Sequence, residues 1–217
     1  MFDYQPPLVD PHFIHIDSDL LVVDKPAELL SVPGRRLEHQ DCLITRVQKN
    51  YPEALIVHRL DMSTSGLMVL ARNPDIHRQL NHLFEQRLVE KTYIAVVNGQ
   101  LKQPEGRIDL PIIRDWPNRP RQKVDRERGK AARTDFRVLS YDPTTDSSRI
   151  ELQPYTGRTH QLRLHMQALG HPILGDDLYA GGTAFNKADR LLLHASKLVF
   201  NHPTSSKVIN FTLEAPF

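Results

Sequence analysis

The chain has 217 residues, 40% of them hydrophobic and 25% charged, which is enough for one large domain or two small ones with a substantial core. No apolar stretch approaches the roughly 20 residues needed to span a bilayer. The N-terminal residues lack the basic and apolar regions of a secretory signal, so we expect no membrane partner. A single cysteine, Cys42, excludes an internal disulfide and indicates a reducing cytoplasm.

The net charge of +2 is unevenly distributed along the chain. Residues 1–30 carry six acids against one base, whereas residues 114–133 carry eight bases against three acids. The basic segment also contains the only tryptophan, Trp116. Such a segment suits a polyanion with stackable bases. A solvated loop with Arg–Glu pairs explains the same composition equally well.

The predicted elements of the first half begin with a hairpin of residues 13–16 and 20–23. Asn73 as N-cap and Pro74 at the first helical position then predict the start of a helix. An alternating pattern predicts a strand at 90–99.

The second half opens with residues 104–137, which are poor in apolar periodicity and predict a long excursion around one short strand near 107–110. Strands are expected at 136–141, 148–153, 191–200 and 207–213. A helix is expected at 159–169. On that helix we expect Leu162, Met166 and Leu169 to face the core, with His160, Arg163 and Gln167 on the opposite side.

Many strands with hairpin-length links and few helices favour an α+β fold with a mixed, largely antiparallel central sheet and flanking helices. Strands and helices do not alternate regularly, which argues against a doubly wound parallel sheet. Neither of the glycine-rich phosphate loops of nucleotide-binding proteins is present in the sequence.

The sequence contains no local motif that indicates a metal site or a catalytic nucleophile. The eleven histidines include the pairs His77/His82 and His160/His165, which are five residues apart and therefore splay around a helix. We expect no metal site built by the chain. Residues 63–66 do not form the G-x-S-x-G nucleophile elbow, although a Ser-His-Asp triad assembled from distant segments stays open.

Residues 58–66 read HRLDMSTSG and lie between two hydrophobic runs. Asp61 is thus placed between two strands expected to be buried, where a carboxylate is either a paired structural ion or a working group. Residues 156–166, which read TGRTHQLRLHM, supply basic side chains and no acid. Tyr93 lies on one face of the strand at 90–99. Taken singly, each of these features has an ordinary structural explanation.

Together these segments resemble, in order and spacing, the motifs of the RluA-type pseudouridine synthases. The matching segments are 58–66, 91–95, 156–166 and 191–195, and residues 24–34 and 170–176 are similar to further family motifs. The resemblance implies the pseudouridine synthase catalytic fold in an isomerase that detaches uracil from ribose, rotates it and rejoins it through carbon 5, without cofactor or metal. It also implies one catalytic domain over 1–217 with no S4-type RNA-binding domain, in which 1–12 form a loose N-terminal segment.

The resemblance also assigns roles to individual residues. Asp61 matches the essential aspartate, which acts as nucleophile or as base, and Arg163 matches its basic partner. Tyr93 matches the residue that stacks on the target base, and Arg59 matches the residue that fills the gap left by the flipped uridine. The other expected site residues are His58, Trp116, Arg119, Arg121 and Lys123 for RNA binding, and Leu192, Thr64 and Gly66 as structural support.

The expected partner is RNA. Residues 115–120, DWPNRP, resemble the family member that modifies both a large-subunit rRNA loop and tRNA anticodon stems, which implies uridine 746 of 23S rRNA and uridine 32 of tRNA as targets. The family works as monomers. The alternatives are a non-catalytic RNA-binding protein, a synthase with another RNA target, and a glycoside-type hydrolase, which needs a second acid near Asp61.

One position departs from the family pattern. The family usually has glycine two residues after the Lys25-Pro26 pair, and this chain has Glu28. Glutamate adopts a positive φ less readily than glycine, so we expect a local change in this turn.

Overall fold

The computed structural model describes residues 4–217, which divide into two compact units. The first unit contains the described residues up to Glu90 together with Ala195–Pro216, and the second contains Lys91–His194 with Phe217. Within residues 4–217, no helix is both long enough and apolar enough to cross a membrane.

Twelve strands and four α-helices follow one another along residues 4–217. The strands are β1 (His12–Ile16), β2 (Leu20–Lys25), β3 (Leu55–Ile56), β4 (Ser65–Ala71), β5 (Glu90–Asn98), β6 (Glu105–Asp109), β7 (Ile112–Arg114), β8 (Gln122–Val124), β9 (Arg133–Asp142), β10 (Ser147–Pro154), β11 (Leu193–Asn201) and β12 (Val208–Thr212). The helices are α1 (Leu43–Val47), α2 (Pro74–Glu85), α3 (Gln161–Ala168) and α4 (Gly182–Asn186).

The sheet of the first unit is built around β2 and β4. Strand β2 pairs antiparallel with both β1 and β4, and β12 pairs antiparallel with β11. All seven residues of β4 are buried, which is the pattern of a strand covered on both faces. Helix α2 begins as predicted, because the side chain of Asn73 accepts a hydrogen bond from the amide of Ile76 at 2.9 Å. Its apolar face packs on this sheet.

The segment before β1 is anchored at several points. The hydroxyl of Tyr4 donates to the carbonyl of Asp41 at 2.8 Å. The guanidinium of Arg46 donates to the carbonyls of Pro7 and Val9 at 2.7 and 2.8 Å. These contacts hold residues 4–9, which the sequence analysis included in a loose segment.

The second unit contains an antiparallel sheet in the order β5-β10-β9-β6 and a separate two-stranded hairpin, β7–β8. The predicted α+β class with a largely antiparallel sheet is confirmed. The prediction for 104–137 was too simple, because this region contains β6, β7, β8 and the start of β9. Its strands are only three to five residues long before β9, too short for a periodic signal.

Helix α3 is confirmed within the predicted range, but the division of its faces was wrong. Residues 161–166 are all buried, and Arg163 lies inside the unit although it was expected opposite the core. Leu169, expected in the core, is 41% exposed. A charged side chain buried on this helix needs hydrogen-bond partners, and Arg163 has them in Asp176 and Asp177.

Candidate active site

Asp61 lies in a tight turn that leads into β4. The carbonyl of Asp61 accepts a hydrogen bond from the amide of Thr64 at 3.1 Å. The side chain of Asp61 is half-buried, whereas Arg59 is exposed and Leu60 is buried. The turn therefore presents a carboxylate and a guanidinium on either side of an apolar anchor.

Two buried polar side chains hold the backbone on both sides of Asp61. Lys25 is fully buried, and its ammonium donates to the carbonyls of Pro26, Leu29 and Met62 at 2.8, 2.8 and 3.0 Å. The hydroxyl of Ser31 donates to the carbonyl of Leu60 at 2.7 Å and accepts from its amide at 3.2 Å. A buried ammonium is costly unless its three donors are satisfied. These bonds therefore couple the position of Asp61 to the 24–34 segment.

Glu28 stands where the resemblance predicts glycine, in the turn that follows Lys25 and Pro26. Its φ is 61°, in the left-handed region, so the turn that encloses the Lys25 ammonium is formed despite the substitution. In this conformation glutamate carries a backbone strain of about 1 kcal/mol, and the expected local change relative to the family stays a prediction.

His58 is part of the first-unit scaffold as well as of the motif. Its Nε2 atom accepts a hydrogen bond from the amide of Val69 at 3.1 Å, which requires Nε2 to be unprotonated. Its ring stacks on Phe84 with centroids 4.6 Å apart. These contacts hold the start of the segment that carries Arg59 and Asp61.

Thr64 and Gly66 continue the turn into β4. Thr64 is buried. Gly66 has a φ of 113°, and a Cβ atom there would lie 2.4 Å from the carbonyl oxygen of Ala195. Only glycine fits this close approach of two backbones.

Arg163, in the second unit, is held by a carboxylate pair. Its Nε and Nη2 atoms donate to the two oxygens of Asp176 at 2.9 and 2.5 Å, and Nη2 also donates to Asp177 at 2.7 Å. Arg163 and Asp176 are 3% and 0% exposed. Such bidentate geometry fixes the plane of the guanidinium. The predicted pairing of Arg163 with Asp61 stays a prediction.

Tyr93 and Leu192 lie against the core of the second unit. Tyr93 is half-buried on β5, opposite Leu152 of β10. Leu192 joins the same apolar cluster, and its carbonyl accepts from the amide of Val96 at 3.1 Å. Strand register thus fixes Tyr93, and the backbone hydrogen bond to Val96 fixes the position of Leu192.

The basic hairpin β7–β8 displays Trp116 between arginines. The guanidinium carbons of Arg114 and Arg119 lie 5.0 and 5.2 Å from the Trp116 ring, which is 61% exposed. Arg121 and Lys123 are exposed beside them. Arg114 and Arg119 thus make cation–π contacts with Trp116. The hairpin carries several cations on one short element.

Two histidines of the second unit are held neutral by burial. Burial lowers the pKa of His165, whose Nε2 donates to the carbonyl of Leu110 at 3.0 Å. Burial, together with the charges of Arg190 and Arg149, lowers the pKa of His194 to about 4. Among residues 4–217 no three His, Cys, Asp or Glu side chains are grouped as metal ligands.

Comparison with known proteins identifies the family. Residues 19–168 match the family model described as RNA pseudouridylate synthase. The chain belongs to the RNA pseudouridylate synthase family. It is 52% identical to the dual-specificity RNA pseudouridine synthase RluA of Yersinia pestis over 94% of this chain and 98% of that protein. It is 48% identical to RluA of Escherichia coli K12 over 100% of this chain and 99% of that protein.

Solved structures agree with this assignment to the pseudouridylate synthases. Human RNA pseudouridylate synthase domain containing 1 superimposes with a TM-score of 0.79 at 29% identity, covering 96% of this chain and 84% of that one. Human RNA pseudouridylate synthase domain containing 4 gives 0.75 at 26% identity, covering 94% and 88%. The predicted fold and the predicted enzyme class, an RNA pseudouridine synthase and hence an isomerase, are confirmed.

Three residues that hold Asp61 and Arg163 in place were not predicted from the sequence. Lys25, Ser31 and Asp176 all lie in segments that resembled family motifs, but no role was derived for them. The sequence signal was the placement of polar residues beside expected buried strands, where each must have a partner. Only the folded structure identifies that partner.

Proposed function

We propose that Asp61 is the catalytic residue of uridine isomerisation in stem-loop RNA, as nucleophile or as base. The observation that carries this is the fixed turn around Asp61, whose flanking carbonyls at Leu60 and Met62 are bound by the buried Ser31 and Lys25. A carboxylate that is half-buried on a backbone held from both sides is preorganised for a reaction.

Arg163 and Tyr93 complete the proposed chemistry. Asp176 and Asp177 bind the guanidinium of Arg163 through Nε and Nη2, which fixes the group that is proposed to pair with Asp61. Tyr93 stacks on the extruded uracil and takes part in removing its carbon-5 proton.

Arg59 is proposed to occupy the gap that the flipped uridine leaves in the RNA stack, with His58 holding the segment. Arg59 is exposed and two residues from Asp61. Extrusion of a base costs a few kcal/mol, and a planar guanidinium can stack in its place, whereas an ammonium cannot. We expect Arg59→Ala and Arg59→Lys both to lose modification while keeping the fold. Arg78→Ala, at another exposed arginine of the same unit, is the control, and unchanged turnover in the Arg59 variants contradicts the role.

The basic hairpin is proposed to bind the RNA backbone through Arg119, Arg121 and Lys123, with Trp116 supporting the arginines. Phosphate contacts position a nucleic acid, while loop shape supplies specificity. The four side chains lie on one short element and are exposed. This favours an RNA-binding function for the segment over a simple solvated loop.

The proposed targets are a 23S rRNA loop and tRNA anticodon stem-loops, at uridine 746 and uridine 32. The relatives at 48–52% identity are named dual-specificity enzymes, which supports two RNA classes. Mapping pseudouridine in rRNA and tRNA from a strain that lacks the gene tests both. We propose that the protein acts as a monomer in the cytoplasm, where both RNAs occur.

Tritium release tests the function itself. RNA carrying tritium at uridine carbon 5 is incubated with the protein, and tritium in water is measured. Release by the native protein that vanishes in Asp61→Ala supports the proposal. Binding without release identifies a non-catalytic RNA-binding protein, and free uracil identifies a hydrolase.

A further inference from the structure

Tyr179 lies where the hairpin and helix α3 meet in the second unit. Its side chain is buried among Ile112 of β7, Ala132 and Leu164 of α3. Its hydroxyl accepts a hydrogen bond from the backbone amide of Gln122 of β8 at 2.7 Å. One hydroxyl thus contacts the backbone of the hairpin.

The same hydroxyl reaches the start of the helix that carries Arg163. It shares a hydrogen bond of 2.9 Å with Nδ1 of His160, the residue that precedes α3 and has a left-handed φ of 54°. The amide of Tyr179 donates to Asp176 at 3.0 Å, and that carboxylate also binds Arg163. The side chain of Tyr179 therefore contacts the residue that precedes the helix of Arg163, and its backbone amide binds the carboxylate that binds Arg163.

The ring of Tyr179 contacts two guanidinium groups. The Cζ atoms of Arg163 and Arg121 lie 5.5 and 5.6 Å from its centroid. Arg163 is buried, whereas Arg121 is exposed on the hairpin. Cation–π contacts of this length are stronger where the cation is desolvated, so the ring restrains Arg163 more than Arg121.

We propose that Tyr179 is a positioning residue that couples the RNA-binding hairpin to Arg163. This rests on the proposed roles of the hairpin and of Arg163. The hydroxyl fixes the hairpin through Gln122 and also contacts His160. The ring fixes the guanidinium of Arg163, which Asp176 and Asp177 bind without help from that hydroxyl. Because the two tasks belong to different atoms of one side chain, substitutions can separate them.

Two variants of Tyr179 divide the effect between binding and turnover. Tyr179→Phe keeps the ring but loses the hydroxyl, so we expect KM for a stem-loop RNA to rise about three- to tenfold with kcat within about twofold. Tyr179→Leu loses the ring as well, so kcat should fall by at least about tenfold. Tyr155 is the matched control, because Arg133 stacks on its ring at 5.1 Å elsewhere in the unit. Tyr155→Phe and Tyr155→Leu should leave both constants unchanged.

Fluorescence of Trp116 gives a readout that does not depend on activity. It is the only tryptophan of the chain and lies on the hairpin. In Tyr179→Phe, we expect acrylamide to quench Trp116 more strongly than in the native protein, because the anchor at Gln122 is lost. Tyr155→Phe should not change the quenching.

The outcomes separate this inference from the proposed function. If the native protein releases no tritium, the proposed function fails. If it is active, unchanged quenching in Tyr179→Phe overturns the coupling. A loss of kcat in Tyr179→Phe equal to that in Tyr179→Leu also overturns it, because the two tasks then do not separate. The quenching measurement decides even where Tyr179→Leu fails to fold.

Discussion

Replacing Asp176 with asparagine removes the charge that balances Arg163 inside the second unit. Both side chains are nearly inaccessible, at 0% and 3% exposed. Removing one partner of such a pair costs about 3–5 kcal/mol, because it leaves an uncompensated buried charge. Asp177 still accepts from Nη2 at 2.7 Å, although its own side chain is 55% exposed. We therefore expect the lower end, a loss of about 3 kcal/mol in the free energy of unfolding.

Urea unfolding measures this loss. For a chain of this size the slope is about 2–3 kcal/mol per molar urea, so the midpoint of Asp176→Asn should fall by about 1 M. Asp177→Asn is the matched control and should lose less than about 1 kcal/mol. The double variant Arg163→Met with Asp176→Asn also removes the buried cation and keeps an oxygen acceptor for the amide of Tyr179, so it should regain most of the stability while remaining inactive. Equal midpoint shifts in Asp176→Asn and Asp177→Asn would refute the reasoning.

Four further predictions test other parts of the structure. His194 binds a proton near pH 6.5 when unfolded and near pH 4 when folded. The free energy of unfolding should therefore fall by up to about 3 kcal/mol as pH drops from 6.5 to 4, and His194→Gln should flatten this profile in urea titrations. Gly66→Ala should destabilise by at least about 2 kcal/mol through its clash with Ala195, whereas Gly157→Ala, where a Cβ meets nothing within 4 Å, should change stability by less than about 0.5 kcal/mol. Glu28→Gly should raise the thermal midpoint, since it relieves about 1 kcal/mol of backbone strain. The slope of log affinity for RNA against log salt should become shallower by about 0.7–0.9 in Arg119→Ala if that side chain neutralises one phosphate, and an unchanged slope contradicts this contact.

The sequence predicted the elements that depend on local patterns. The hairpin β1–β2 and the start of α2 at Asn73 follow from turn residues, capping and periodicity. The strands β7 and β8 were missed because they are three residues long and depend on one another and on contacts such as that between Gln122 and Tyr179. Short strands of this kind carry no periodic signal.

The candidate site was predicted as a set of residues rather than as an arrangement. Asp61 and Arg163 were recognised from motifs, but periodicity placed Arg163 on the solvent side of α3. It is buried because Asp176, which follows α3 in the chain, accepts hydrogen bonds from its Nε and Nη2 atoms. A long-range partner can therefore override the polarity of a side chain, and the sequence does not specify that partner.

The central proposal is tested most directly by a variant that shows whether Asp61 takes part in the reaction or only supports the fold. Asp61→Asn keeps the shape of the side chain and removes its charge. With enzyme in excess over a stem-loop tritiated at uridine carbon 5, binding no longer limits the reaction, and tritium release reports the chemical step. We predict native RNA retention on filters and a release rate lower by at least about a thousandfold. Release within tenfold of the native rate, with RNA fully bound, would contradict the assignment of Asp61.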